Sequence, residues 1–168
     1  MPRPGDFFMA RASRWWLRTS LGWACRTDLV HSGIYIGNGK TMEASIRFKD
    51  GARVCQVADL HEPQWSTLEI PVVQRIAIIR AARDMVGRPF PSGLAMAVGI
   101  LRRHRGDVTA PYAAQPWWVR QLLNGEHTAY CLQVPYYAYR AAGIDLTPDG
   151  RPEGLVRPAD LLPLVAAA

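Results

Sequence analysis

Two residues of this chain have the types and the surroundings of a thiol nucleophile and its base. His31 lies in the segment 30–44, where a Gly-Asn-Gly sequence separates two apolar runs, a pattern typical of two strands joined by a tight turn. Cys131 opens the segment 131–142, and Gly143 follows it, which predicts a helix with the thiol at its start. A thiol at a helix N-terminus beside an imidazole base can attack a carbonyl carbon, so the pair predicts nucleophilic catalysis.

The length of the turn decides whether Glu43 can act on His31. With a two-residue Asn-Gly turn, Ile34 would pair with Glu43, and the carboxylate would point to the opposite face of the sheet. With a three-residue Gly-Asn-Gly loop and a bulge, Gly33 would pair with Glu43 and His31 with Ser45. His31 and Glu43 would then share a face, and the carboxylate would fix the tautomer of the imidazole. The catalytic interpretation requires the longer loop, and the alternative is an exposed surface hairpin.

The position of Cys131 in its helix is indicated by Pro135, because a helix tolerates proline only in or near its first turn. Cys131 is therefore expected at or just before the helix start, where unpaired N–H groups and the helix dipole favour a thiolate. The alternative is a buried core cysteine, the common situation of a lone cysteine. Cys25 and Cys55 have neither a nearby histidine in the sequence nor a firm helix-start setting, and we interpret both as structural.

The composition predicts one globular domain over residues 1–168, because 49% of the residues are hydrophobic and the length suffices for a core. The chain has three cysteines without CxxC spacing, which suggests neither a disulfide framework nor a zinc site. No metal ion or other cofactor is expected. The net charge of +6 favours an anionic partner such as a membrane surface or a cell-wall polymer. No arginine-rich run interleaved with aromatic residues indicates nucleic-acid binding.

The N-terminal sequence lacks the apolar core of a secretory signal peptide, and the longest apolar stretch, 93–101, is too short to span a bilayer. These features predict a cytoplasmic protein. Release by lysis, and delivery to the cell envelope by a phage or secretion apparatus, stay open as alternatives.

The hydrophobic pattern elsewhere predicts further strands and helices around the hairpin. Strands are expected over 6–10 and 53–57, and the segment 65–70 alternates between apolar and polar residues. A helix over 72–86 would follow Pro71 and end at Gly87. The other predicted elements are helices over 13–25, 94–103, 117–123 and 157–162, with a loop between 106 and 116.

Together, these motifs resemble the NlpC-type papain-like cysteine hydrolases, in the circularly permuted branch that includes YiiX-like proteins and relatives of lecithin:retinol acyltransferase. In that branch the histidine hairpin precedes the cysteine helix, as it does here. The chain departs from the pattern at Leu132, where many relatives carry serine, and at Pro135. The matching pieces run in family order over nearly the whole chain: Gly5-Asp6, 31–39, Glu43-Ala44, 86–90, Cys131 with 138–144, and 158–161.

The resemblance implies an α+β fold in which a small antiparallel sheet or partial barrel packs against helices. It assigns Cys131 as the nucleophile, His31 as the base and Glu43 as the orienting residue, with Tyr130 and Tyr35 expected to contact the substrate. The implied activity is that of a peptidase or amidase that forms an acyl-enzyme, with peptidoglycan peptides or related amides as substrates. No cofactor is implied.

Two other functions stay open at this stage. A lipid acyl hydrolase or acyltransferase at a membrane surface would use the same triad, and the Trp15-Trp16 and Trp117-Trp118 pairs, the segment 94–101 and the positive charge suit it. A binding module that kept the fold without activity is the third hypothesis. The segment 91–127 has no counterpart in the motif pattern and is expected to form part of the cleft.

Overall fold

The computed structural model describes residues 1–11, 27–45, 51–90, 130–147 and 158–165. Within them, one antiparallel sheet has the strand order β4-β3-β2-β1-β5 and packs against helices, as the α+β prediction requires. No helix in this part of the chain is long and apolar enough to cross a membrane. The elements are β1 (Phe7–Arg11), β2 (Leu29–Gly37), β3 (Lys40–Ala44), β4 (Ala52–Gln56), β5 (Gln64–Trp65), α1 (Val72–Arg83), α2 (Gln133–Ala141) and α3 (Pro158–Leu161), with 3-10 turns at Val57–Asp59 and Leu162–Leu164.

The first helix is shorter than its sequence pattern predicts. It begins directly after Pro71, as expected, but ends at Arg83 rather than at residue 86. The next residues turn toward β4 and bond to it in both directions. The N–H of Gly87 donates to the carbonyl of Ala52 at 2.8 Å, and the N–H of Ala52 donates to the carbonyl of Arg88 at 2.9 Å. These bonds to β4 replace further helical bonds.

The alternating segment 65–70 also forms less regular structure than predicted. Only its first residue belongs to β5, which pairs with β1 through Phe8 and Trp65. The N–H of Ser66 still donates to the carbonyl of Phe7 in β1 at 2.9 Å, and the next residue turns to the C-terminal segment, where the N–H of Thr67 donates to the carbonyl of Leu164 at 2.9 Å. The predicted elements over 13–25, 94–103, 106–116 and 117–123 lie outside the described residues, as do Cys25, both tryptophan pairs and the segment 91–127 with its predicted cleft.

The core lies between one face of the sheet and the helices α1 and α2. Phe7, Ile34 and Met42 pair across three neighbouring strands, and all three are fully buried. Burying an apolar side chain of this size contributes about 1.5–3 kcal/mol. Tyr139 of α2 packs edge-on against Phe7 with ring centroids 5.6 Å apart, and its hydroxyl donates to the carbonyl of Gly5 at 2.9 Å. The core therefore holds α2 against the central strands.

A buried ion pair attaches the start of β1 to α1. Arg75 Nη1 donates to Asp6 Oδ1 at 2.7 Å and to the carbonyl of Pro4 at 3.0 Å. Asp6 also accepts a hydrogen bond from the N–H of Arg3 at 2.7 Å. Gly5 has a φ of +93°, and a Cβ there would lie 3.2 Å from atoms of Arg75. The chain around Gly5 therefore folds closely over the arginine.

Candidate active site

The β2–β3 hairpin places Glu43 on the face of the sheet that carries His31. Gly33 pairs with Glu43, which is the register predicted for the longer loop. Because side chains alternate along a strand, His31 and Gly33 face the same way as Glu43. The ladder ends at this pair, so the predicted pairing of His31 with Ser45 is not part of it. The shared face that catalysis requires is nevertheless present.

The turn reaches this register by a different route from the three-residue loop that we predicted. Gly37 pairs with Lys40 around a two-residue turn of Asn38 and Gly39, and a bulge lies between Tyr35 and Gly37. Asn38 and Gly39 have φ angles of +53° and +69°, the signs that a type I′ turn requires. The bulge adds one residue on β2, and this residue restores the pairing that a simple Asn-Gly turn would lose.

His31 and Glu43 form the central polar contact of the site. His31 Nε2 lies 2.8 Å from Glu43 Oε2, a short, charge-assisted hydrogen bond. The second carboxylate oxygen, Oε1, accepts a hydrogen bond from the hydroxyl of Thr41. The histidine side chain is 24% exposed and the glutamate only 5%. Since Glu43 occupies Nε2, the other ring nitrogen, Nδ1, is the one left to act on a thiol.

Cys131 lies in the turn that leads into α2, as the position of Pro135 predicted. Its Sγ is 3.7 Å from the carbonyl oxygen of Val30, the residue before His31. The thiol is also close enough to His31 for the interaction between the two side chains to raise the pKa of the imidazole. Cys131 therefore lies beside the His31–Glu43 pair, although the three residues come from the turn before a helix and from two strands.

The electrostatics of His31 reflect these two neighbours. Burial acts to lower the pKa of His31, but hydrogen bonds and charge interactions with Cys131 and Glu43 outweigh it and raise the pKa to about 9. At neutral pH the imidazole therefore carries a proton and a positive charge.

Gln133 positions the cysteine turn, and the sequence analysis did not identify it. Its side-chain Oε1 accepts the N–H of Tyr130 at 3.0 Å, and its own N–H donates to the carbonyl of Tyr130 at 2.9 Å. These two bonds span Cys131 and fix the turn. Gln133 reaches back to the N–H of the residue three positions earlier, as glutamine does in a capping box, but tyrosine stands at residue 130 where serine or threonine would mark that motif in a sequence.

Phe8 and Gly33 shield the histidine–glutamate pair. The Phe8 ring is fully buried and lies against the His31 ring at a centroid distance of 5.9 Å. A Cβ on Gly33 would be 2.9 Å from Phe8 Cε1 and 3.0 Å from Glu43 Cγ. The absence of a side chain at residue 33 thus lets the aromatic ring approach the carboxylate. The sequence analysis did not single out Phe8, because a phenylalanine in a strand is usually a core residue.

The other candidate residues occupy the edges of this arrangement. Tyr35 accepts the N–H of Gly39 at 3.3 Å, and its ring meets Trp65 edge-on at 5.7 Å. Tyr130 is half-buried against the core. Substrate contact by either tyrosine stays a prediction. Cys55 lies half-buried in β4, and burial raises the pKa of its thiol, which fits the structural role we assigned to it.

No protein-family model matches the chain, and no curated protein matches its sequence. Among solved structures, it matches the crystal structure of the metalloprotein YiiX (DUF1105) from Escherichia coli O157:H7. The TM-score is 0.60 at 14% sequence identity, and the match covers 99% of this chain and 96% of YiiX. This chain has the YiiX fold. The predicted α+β architecture, a YiiX-like fold with an antiparallel sheet packed against helices, is thus confirmed.

YiiX is a metalloprotein, which makes the His, Cys, Asp and Glu residues of this chain candidates for metal ligands. In the described ranges, no group of three or more His, Cys, Asp or Glu residues is placed to hold a metal ion. His31 Nε2 and Glu43 Oε2 bond to each other instead. These donors therefore do not fit a metal site of the usual kind.

Proposed function

We propose that this protein is a thiol hydrolase with Cys131 as nucleophile, His31 as base and Glu43 as orienting residue. The observation that carries the proposal is the position of His31, which contacts the carboxylate of Glu43 through Nε2, while the Cys131 thiol lies 3.7 Å from the carbonyl oxygen of the preceding residue, Val30. Imidazole between a nucleophile and an orienting acceptor is the general arrangement of triad enzymes. The YiiX-like fold supports the same superfamily.

In the proposed reaction, the thiol proton resides on His31 Nδ1 before the substrate binds, so Cys131 and His31 form a thiolate–imidazolium pair. The thiolate attacks the carbonyl carbon of the substrate, and the N–H of Cys131 is the proposed donor to the developing oxyanion. When the C–N bond breaks, His31 gives its proton to the leaving amine and a thioester remains. His31 then takes a proton from water as the water attacks the thioester, which releases the acid and the thiolate. A short peptide or a related amino-acid amide, as in peptidoglycan stems, is the substrate that the family resemblance favours.

The test of the nucleophile compares Cys131→Ala with Cys55→Ala on a panel of peptide and amino-acid amides. We expect loss of hydrolysis by a factor of about 10³ or more in Cys131→Ala. Cys55→Ala should retain the wild-type rate because that thiol lies in β4, outside the triad. Unchanged hydrolysis in Cys131→Ala would exclude the mechanism.

A second test asks whether the thiol and the imidazole form an ion pair. The rate of alkylation of Cys131 by iodoacetamide is measured against pH, by mass spectrometry, in the wild type and in His31→Ala. We expect the wild-type thiol to react well below the ordinary thiol pKa of about 8.5 and to lose this reactivity without His31. An ordinary thiol profile in both proteins would favour the inactive binding module.

A different surface favours the second candidate, a lipid acyl hydrolase or acyltransferase. Helix α1 exposes three neighbouring aliphatic side chains, Val72 (71%), Val73 (78%) and Ile76 (63%). Arg80 and Arg83 continue the same exposed side of the helix. Apolar residues flanked by arginines suit the interface of an anionic membrane.

The location of this exposed helix face favours attachment of the protein to a membrane more than it favours hydrolysis of the membrane's lipids. Gln74 Nε2 donates to the carbonyl of Ala142 at 3.2 Å, so the start of α1 lies at the C-terminal end of α2. Cys131 precedes the opposite end of α2. A membrane bound by α1 would therefore contact the molecule away from the thiol.

Sedimentation with phosphatidylglycerol vesicles at low salt tests this candidate. Binding should occur in the wild type, weaken in Val73→Ser/Ile76→Ser, and persist in the control Val54→Ser, which changes an exposed valine of β4. Failure of the wild type to bind would count strongly against a membrane-surface enzyme. Hydrolysis of lipid acyl groups by bound protein, lost in Cys131→Ala, would favour it over the amidase.

A further inference from the structure

The carboxylate of Glu43 has a separate partner for each of its oxygen atoms. Oε2 faces His31 Nε2, and Oε1 accepts a hydrogen bond from the hydroxyl of Thr41. Thr41 is fully buried and Glu43 is 4% exposed. A buried carboxylate oxygen without a donor is costly, so the hydroxyl satisfies a group that water reaches poorly.

The hairpin register delivers this hydroxyl to the site. Thr41 and Glu43 are two residues apart on β3, so their side chains lie on the same face of the sheet. Thr41 pairs with Tyr35 on one side and with Cys55 on the other, which places it inside the sheet rather than at an edge. A β-branched side chain held there has few rotamers, so its hydroxyl is a rigid anchor.

The bond to Thr41 limits how the carboxylate can turn. Rotation of the carboxylate about its terminal torsion is broad and has weak intrinsic preferences. A fixed donor on Oε1 selects the orientation in which Oε2 points at His31. The imidazole is then held with Nε2 toward Glu43 and Nδ1 toward the thiol.

We propose that Thr41 is a positioning residue of the active site, whose hydroxyl orients Glu43 and, through it, the imidazole of His31. This proposal rests on the proposed function, since it assigns a fourth member to the same Cys131, His31 and Glu43 arrangement. Thr41 acts through Glu43 and does not touch the substrate.

The test compares three substitutions of one side chain. Thr41→Val keeps the branched shape and removes the hydroxyl. Thr41→Ala removes the hydroxyl and the methyl group, and Thr41→Ser removes only the methyl group. We expect Thr41→Val and Thr41→Ala to lower both the alkylation rate of Cys131 at pH 6.5 and the rate of amide hydrolysis by about 3- to 10-fold, the effect of one hydrogen bond. Thr41→Ser should remain within about 2-fold of the wild type.

A double-variant cycle separates positioning from simple support of the fold. If Thr41 acts through the carboxylate, Thr41→Val should have no further effect in a Glu43→Ala background, which lacks the acceptor of its hydroxyl, whereas a purely structural role would add to the loss. Additive losses, or wild-type rates in Thr41→Val, would overturn the proposal.

The same assay tells this failure apart from failure of the proposed function. If His31→Ala lowers the alkylation rate of Cys131 but Thr41→Val does not, the triad stands and the role of Thr41 is wrong. If His31→Ala leaves the alkylation rate unchanged, the triad itself is absent and the Thr41 proposal falls with it.

Discussion

Asp6–Arg75 and His31–Glu43 are both charged pairs with little solvent exposure, and they differ in what is left after each pair forms. Arg75 directs its nitrogens at Asp6 and at the carbonyls of Pro4 and Ile70, although Nη2 has no hydrogen-bond partner within the described residues. The nitrogens that are paired all bind atoms of the same chain. This pair fastens the N-terminal segment to α1.

The His31–Glu43 pair leaves one nitrogen of the imidazole ring without a bond to the carboxylate. Glu43 occupies one ring nitrogen, and the other is available to the thiol of Cys131. The histidine keeps a quarter of its side-chain surface accessible, whereas the arginine of the other pair keeps 9%. Burial of charge therefore does not by itself mark a functional site. An accessible, titratable nitrogen beside a nucleophile does.

The largest expected effect comes from breaking the Asp6–Arg75 ion pair. Arg75→Met leaves Asp6 buried without its counter-ion, and such a loss costs about 3–5 kcal/mol of the free energy of unfolding. Urea denaturation measures it. In protein that remains folded, the alkylation rate of Cys131 should match the wild type, because Arg75 does not contact the triad.

The double variant Asp6→Asn/Arg75→Met is the control for this comparison. It removes both charges and should recover part of the lost stability, since no buried charge is left unpaired. A loss below about 1 kcal/mol in Arg75→Met, or a changed Cys131 reactivity in folded protein, would mean that the two pairs are not separate in role.

Glu43→Gln tests the His31–Glu43 pair and should have the next largest effect. The amide carries no charge, so the pKa of His31 should fall from about 9, and its positive charge should then disappear at a lower pH than in the wild type. The amide also tolerates the wrong imidazole tautomer. Hydrolysis should drop about 10²-fold, the size of a general acid–base contribution.

NMR titration of the His31 ring protons measures this pKa directly. Glu69→Gln is the matched control, because Glu69 is exposed and lies outside the site. A His31 that still titrates near pH 9 in Glu43→Gln would show that the carboxylate does not set its charge.

The parts of the site that the sequence predicts are those fixed by local rules. Glycines around Asn38 permit the positive φ angles of a tight turn, and the proline at residue 135 restricts where a helix can begin, so the hairpin and the start of α2 follow from neighbouring residues. The register of His31 and Glu43 was predicted as one of two alternatives. The bulge between Tyr35 and Gly37 decided between them, and only the pairing of the whole strand fixes such a bulge.

The residues that the sequence analysis missed act through partners distant in the chain or through uncommon caps. Thr41 is two residues from Glu43 on β3, and its role becomes visible only when the hairpin register places Glu43 on the face that carries His31. Arg75 and Asp6 are 69 residues apart, and no spacing rule connects them. The early end of α1 likewise depends on Ala52 of β4. Tertiary contacts of this kind override local propensity.

The smallest expected effect comes from adding a side chain at Gly33, the residue at which Phe8 and Glu43 come closest to the strand. In Gly33→Ala, the new Cβ would lie 2.4 Å from the carbonyl oxygen of Met42, 2.9 Å from Phe8 Cε1 and 3.0 Å from Glu43 Cγ. The backbone and the two side chains must shift, which costs about 1–3 kcal/mol of stability.

Gly39→Ala, in the same hairpin, separates this crowding from backbone strain. Its φ is +69°, so alanine is strained there, but a Cβ would meet no atom within 4 Å. Both variants should therefore be destabilised by similar amounts, while only Gly33→Ala should slow alkylation of Cys131, because only it displaces Phe8 and Glu43. Equal reactivity in the two variants would mean that the close approach of Phe8 serves the stability of the sheet and leaves the His31–Glu43 pair unaffected.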